Sequence, residues 1–273
     1  MAAIQAKKFR IVVFVYLFFF IGWGANYNKV PLRKYWHLDT AAVHKPDTAA
    51  LIAFDRFLLE KLNATAPYYH RLPFSEVSDS AVSYYRAYTD SKVKNGLGIK
   101  PSLFSFYMEW LAVEGYYNPF TGEGQVNRRL PDFMQPFVVC HEMAHQAGIA
   151  AEGDANLMAY AVGTAGNDTS FSYSCYLNIW LYTNNRLWFR DSTLSKQLEA
   201  QLNPITRAHI DTLEAISEKY HNDVTKYSGE LYDSYLRMEH QKDGIRSYGN
   251  VSSSAWQLEL QRSNGKKRLI SIP

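Results

Sequence analysis

The sequence predicts a mainly helical α+β protein, with one N-terminal membrane helix and one body that carries a small β-hairpin or edge strand. Three observations predict it. Ile11 to Trp23 is an uninterrupted apolar run; later segments repeat apolar residues at helical spacing; and GYYNPFTGEGQVN, residues 115–127, has strand character around turn residues, directly ahead of a helix carrying HEMAH at 141–145.

The bulk numbers are compatible with this. A chain of 273 residues with 47% hydrophobic and 15% aromatic content can bury a sizeable core, which excludes disorder as the general state. Net charge is only +3, and apart from Lys266-Lys267-Arg268 the cations are scattered, so nothing points to a nucleic-acid partner. Tyrosines recur in pairs (Tyr68-Tyr69, Tyr84-Tyr85, Tyr116-Tyr117), which reads as core and interface packing, with a ring-lined substrate groove as the alternative. Cys140 and Cys175 permit one disulfide and are read as free, buried thiols.

At the N-terminus, residues 1–10 form a basic tail with Lys7, Lys8 and Arg10, and residues 11–27 form the anchor. The apolar run has the length of a signal-peptide core, yet no small-x-small cleavage site follows it, so the segment is expected to stay attached. Trp23 and Tyr27 are placed at the membrane boundary, and the basic tail in the cytoplasm, which leaves the body outside, on a bacterial inner membrane or cell surface. Residues 28–46 read as a polar, Pro-punctuated connector, and residues 47–273 as the domain.

Within that domain, Asp47 is an N-cap ahead of Leu51, Ile52, Phe54, Leu58, Leu59 and Leu62 at helical spacing. A second helix is expected from Ser75 through Val93 and a third from Ser102 in SLFSFYMEWLA. After the hairpin of residues 115–127 the chain reads as helical again beyond Pro131, with breaks near Gly148, Gly166, Asn203-Pro204, Asn222 and Gly244. Residues 170–190 are rich in aromatic rings but carry Asn178, Asn184, Asn185 and Arg186, which suits a buried helix of the body.

HEMAH puts His141 and His145 one helical turn apart, so that both rings leave one face and can share an ion, while Glu142 can reach a water bound there and take its proton. Two imidazoles and a carboxylate around one zinc ion (Zn2+) leave a fourth position open. Gly148 is positioned to end this helix in a left-handed conformation, and a second helix then opens at Glu152. Glu152 is the expected third ligand, with Asp154 the alternative; Asn156, one turn after Glu152, is placed to hold the ring N–H of a ligating histidine. Acids in a first helical turn also simply favour the dipole.

HExxH followed by E-x-x-A-N resembles the gluzincin type of zinc metallopeptidase. That resemblance implies a zincin-like body, His141, His145 and Glu152 as zinc ligands, Glu142 as general base and Asn156 behind a ligand. The chain departs from the type in spacing, since Glu152 follows His145 by only seven residues. Gly148 falls where a metzincin has its glycine, but Ala151 stands at that motif's third histidine. WGANYNKVPL (23–32), KPSLFSF (100–106), GYYNPFTGEGQVN, CHEMAHQAGIAAEGDAN (140–156) and QKDGIRSYGNV (241–251) also resemble an uncharacterised family of bacterial membrane-anchored proteins with an HExxHQxGxxxExxAN signature. That family is presumed to contain peptidases, and it carries more hydrophobic sequence ahead of the WG-NY segment than this chain does.

The expected activity is hydrolysis of a peptide or protein substrate by metal-activated water. A substrate edge strand is expected among Tyr117, Asn118, Gly124, Gln125, Val126 and Asn127, and an oxyanion donor at Tyr248, with Arg246 and His240 beside it. A C-capping turn at Gly244 accounts for that late segment equally well. Two other readings stand open: a non-catalytic extracytoplasmic metal-binding sensor or assembly module, and a zinc amidase or esterase acting on cell-wall components.

Overall fold

In the computed structural model the residues described are 2–38, 47–90, 96–220, 247–265 and 270–273. Helix α1, Ala2–Gly22, contains neither proline nor an internal glycine, so nothing breaks it before Gly22. The chain then leaves the helix at Trp23 and makes a 3-10 turn, Gly24–Asn28. From Ile11 to Ile21 only Phe19 is partly covered; every other side chain is exposed, all round the helix. Among the described residues no helix is long and apolar enough to cross a membrane. Lys7, Lys8 and Arg10 occupy the first half of α1, and the apolar part from Ile11 to Gly22 spans only about 18 Å at 1.5 Å per residue. Trp23, the first residue after α1, packs on the body: it is 7% exposed, with its ring 4.4 Å from that of Tyr117.

The expected connector belongs to the body. Helix α2, Leu32–Tyr35, buries Leu32, and Leu38 is buried behind it; residues 39–46 of the connector lie outside the described residues. Helix α3, Thr48–Thr65, begins as the sequence requires, with Asp47 accepting from Ala49 N–H (3.1 Å) and Leu51, Phe54, Leu58, Leu59 and Leu62 buried. Helix α4, Phe74–Tyr88, is shorter than the expected 75–93. Where a third helix was expected from Ser102, the chain first forms strand β1, Ile99–Pro101, and helix α5 runs only Ser105–Trp110. Pro101 and the Ser102 side chain, which accepts from Phe104 N–H, delay the helix.

Strands β2, Gly115–Asn118, and β3, Glu123–Val126, form the expected hairpin, but β3 is the middle strand of the order β1-β3-β2. It pairs parallel with β1 (Ile99 with Gly124) and antiparallel with β2 (Tyr117 with Gly124). Gly124, Gln125 and Val126 are therefore committed on both sides, and the expected edge position is corrected to β2. The Asn127 N–H to Glu114 C=O bond (2.8 Å) fixes the parity of the hairpin: residues 114, 116 and 118 bond β3, and the backbone groups of Gly115 and Tyr117 face the free edge.

The remaining helices are α6, Gln135–Gln146; α7, Glu152–Gly163; α8, Thr169–Trp188; α9, Ser192–Glu199; α10, Pro204–Tyr220; and α11, Ser247–Ser263. Helix α6 is buried from Gln135 to His145, with α7, α4, α8 and the sheet around it. Tyr85 of α4 donates to the Cys140 carbonyl (2.7 Å), and Ser174 of α8 accepts from Phe137 N–H at its first turn. Gln146 ties the sheet down, accepting from Gly98 N–H (3.0 Å) and donating to the Gly122 carbonyl (3.1 Å). Cys140 and Cys175 are free and buried, as read from the sequence.

Where α3 meets α8, Asp55 is fully buried and accepts from Trp180 Nε1 (3.2 Å), while its Oδ2 has no hydrogen-bond partner among the described residues. Burial raises its pKa from the ordinary 3.8 to about 6, against the hydrogen bonds from Trp180 and Asn184. Between those two values the folded chain holds a proton that the unfolded chain has released, so Asp55 costs stability progressively as pH rises from about 4 through 6. Asp55→Asn keeps an oxygen for Trp180 and removes the buried charge. It is expected to raise the unfolding free energy at pH 7 by on the order of 2 kcal/mol and to flatten the loss between pH 4 and 6, as read by urea denaturation across that range.

Candidate metal centre

Helix α6 presents His141 and His145 side by side, their Nε2 atoms 3.2 Å apart, and the first turn of α7 brings Glu152 against both: Oε2 lies 3.1 Å from His141 Nε2 and Oε1 3.6 Å from His145 Nε2. One ligand atom from each of these residues can be chosen so that all lie within 4.8 Å of one another.

The turn joining the helices builds this geometry. Gly148 has φ +87°. Gly148 N–H bonds the His145 carbonyl (2.9 Å) and Ile149 N–H the Ala144 carbonyl (3.1 Å), the paired closing bonds of a Schellman C-cap. The same turn aims the Ile149 carbonyl at His145 Nδ1, 2.7 Å away. A carbonyl can only accept, so Nδ1 carries a proton, which leaves the inward-facing Nε2 as the nitrogen that an ion can take in exchange for a proton. His141 Nδ1 meets Asn156 Oδ1 at 2.7 Å, which does the same for the other ring. Gly148→Ala places a side chain in the left-handed region and disturbs this carbonyl; the expected result is a loss of about 1–2 kcal/mol in denaturant unfolding and weaker metal binding by up to ~10-fold.

Electrostatics hold the centre together. Burial alone would lower the His145 pKa, but the charge and hydrogen bond of Glu152 prevail and carry it up to about 9. Burial would raise that of Glu152, and the two histidines hold it well below the carboxylate range. Glu142 is pushed up to about 7, chiefly by burial, with His141 and His145 opposing and Glu152 and Glu114 adding. Its Oε2 is buried with no hydrogen-bond partner among the described residues. Its other oxygen lies against the sheet: a Cβ on Gly115 would stand 2.5 Å from Glu142 Oε1, so only glycine lets β2 approach the base this closely.

The other expected residues separate clearly. Asp154 points away from the centre: its Oδ2 accepts from Leu32 N–H of α2 (2.9 Å), which removes it as the alternative ligand. Tyr117 flanks the site, its ring 6.5 Å from that of His145, and Asn118 ends β2. Trp23 closes the same side, 6.3 Å from His145. Gln125 takes the Tyr116 hydroxyl (2.8 Å), and Asn127 bonds Glu114 through its backbone. The backbone of Tyr248 belongs to α11, while its side chain, together with Arg246 and His240, lies outside the described residues. Two residues near the centre carry no sequence signal. Burial raises the pKa of the Tyr182 hydroxyl on α8, and the charges of Glu114 and Glu152 add to that shift. Glu114 is solvent-accessible yet walled by protein, which raises its pKa, while His141 lowers it.

The donor set can hold a metal ion: two imidazole Nε2 atoms and one carboxylate converge, and among the described residues a carboxylate oxygen without a hydrogen-bond partner is buried on the residue after His141. Fold and site together define a mainly helical α+β protein with a two-histidine, one-glutamate cluster able to hold a metal ion. The chain belongs to the family described as "Protein of unknown function (DUF3810)", which matches residues 2–253. No curated protein and no solved structure matches it.

Proposed function

We propose that this chain is a zinc-dependent peptidase with a zincin-like body, attached to a membrane through α1. The observation that carries the reading is the convergence of His141, His145 and Glu152 beside a buried, unpaired oxygen of Glu142. A purely structural metal site needs no such base. Zinc bound there would act as a Lewis acid on a substrate carbonyl and would acidify water. The chain's own residues account for the rest. His141 and His145 are held in the ligating tautomer by Asn156 and Ile149. Glu142 accepts a proton at its free Oε2 and returns it to the leaving amine. The outward backbone groups of Gly115 and Tyr117 pair with an extended substrate along the free edge of β2. Tyr248, the hydroxyl expected from the sequence, is the candidate donor to the developing oxyanion, with Tyr182 of α8 a second, being near enough for the charges of Glu114 and Glu152 to bear on it.

Membrane attachment is supported by the apolar, all-round exposure of α1, which suits lipid better than a single protein face. The test is elemental analysis of the purified full chain, followed by assay of the zinc-loaded protein against peptide and cell-wall libraries. Stoichiometric zinc with peptide cleavage is the expected result. A chain that takes up no zinc overturns the proposal, and turnover of cell-wall amides alone replaces the substrate class.

A further inference from the structure

Among the acids around the centre, Glu114 stands apart. Glu152 faces the two histidines, Asp154 holds Leu32 N–H, Glu109 pairs with Arg129 and Glu123 with Lys100. Glu114 has no such role: it is no member of the ligand cluster, its side chain is solvent-accessible, and no ion pair or hydrogen bond engages its carboxylate among the described residues. Its main chain is nevertheless fixed. The Glu114 carbonyl is bonded to Asn127 N–H (2.8 Å), and the next residue, Gly115, has its α-carbon packed against the carboxylate of Glu142. Glu114 thus stands where the free edge of β2 begins, beside the base, and close enough for its charge to bear on His141, Glu142 and Tyr182.

A peptide paired along Gly115 and Tyr117 with its reacting carbonyl at the centre lies alongside this carboxylate. Resting on the peptidase reading above, we infer that Glu114 is a specificity-determining residue that binds a primary ammonium group of the substrate next to the scissile bond. That group is either the free amino terminus, which makes the chain an exopeptidase, or a lysine side chain. An exposed carboxylate whose charge adds to those of Glu142 and Glu152 raises the negative potential there, and an ammonium group offsets it with a charge-assisted hydrogen bond.

The zinc-loaded full chain is titrated by calorimetry with leucine hydroxamate, N-acetyl-leucine hydroxamate and N-acetyl-lysine hydroxamate, with zinc content measured in parallel. Leucine hydroxamate is expected to bind about tenfold or more tighter than its N-acetyl form if the amino terminus is recognised. N-acetyl-lysine hydroxamate shows that advantage if the side chain is. In Glu114→Gln the advantage should vanish while zinc content and N-acetyl-leucine hydroxamate binding persist. Equal affinities in the unaltered chain, or a preference that survives Glu114→Gln, overturn the assignment of Glu114 alone. Failure of every hydroxamate to bind zinc-loaded chain overturns the peptidase reading with it.

Discussion

Glu142→Gln is expected to lower kcat/KM on any cleaved peptide by about 10²–10⁴-fold while zinc per chain stays at its unaltered value. The size follows from what the residue is placed to do. Its Oε2 is buried with no hydrogen-bond partner among the described residues, and removing a general base typically has an effect of this order. The substitution is isosteric, so the packing of its side chain against Gly115 and β3 survives. It also removes a buried charge that burial disfavours, so the variant should unfold no more easily than the parent. Because His141, His145 and Glu152 are untouched, metal content separates loss of chemistry from loss of the site. A variant that keeps full turnover with zinc bound would assign the base elsewhere, and one that loses zinc would make Glu142 a partner of the metal instead.

Much of this centre was legible because its causes are local. HEMAH puts two rings on one helical face, Gly148 is placed where a left-handed cap is needed, and Asn156 follows Glu152 by one turn; helical geometry then leaves little freedom. Asp47 and its apolar series fixed α3 for the same reason. The misreadings share a different cause, contact between residues far apart in sequence. The burial of Trp23 has no local signal because its partner Tyr117 lies in the hairpin. Residues 28–38 looked like a linker because Leu32 finds the core, and its N–H finds Asp154, only after folding. β1 is three residues long and has no periodicity to read, so β3 passed for an edge until a parallel neighbour displaced it. Glu114 and Tyr182 belong to no motif; they reach the centre because the hairpin and α8 both pack on α6.

The pair Glu152→Gln and Asp154→Ala should divide cleanly, although the two acids stand two residues apart in the first turn of α7. Glu152 reaches both histidine Nε2 atoms, at 3.1 and 3.6 Å, whereas Asp154 leaves the helix toward α2 and accepts from Leu32 N–H. Glu152→Gln removes the one anionic donor, and zinc affinity is expected to fall by more than the ~10–100-fold typical of losing an outer hydrogen-bond partner. Asp154→Ala should leave zinc affinity within about twofold and cost about 1–2 kcal/mol of stability, because Leu32 N–H is then buried without an acceptor. Competition with a chelator of known affinity reads the first effect, and urea denaturation of the metal-free chain the second. Loss of zinc in Asp154→Ala with retention in Glu152→Gln would reverse the ligand assignment. That outcome would require the first turn of α7 to rotate by about 160°, since two residues span roughly 200° of helix, and so to break the Leu32 contact that seats α2 on it.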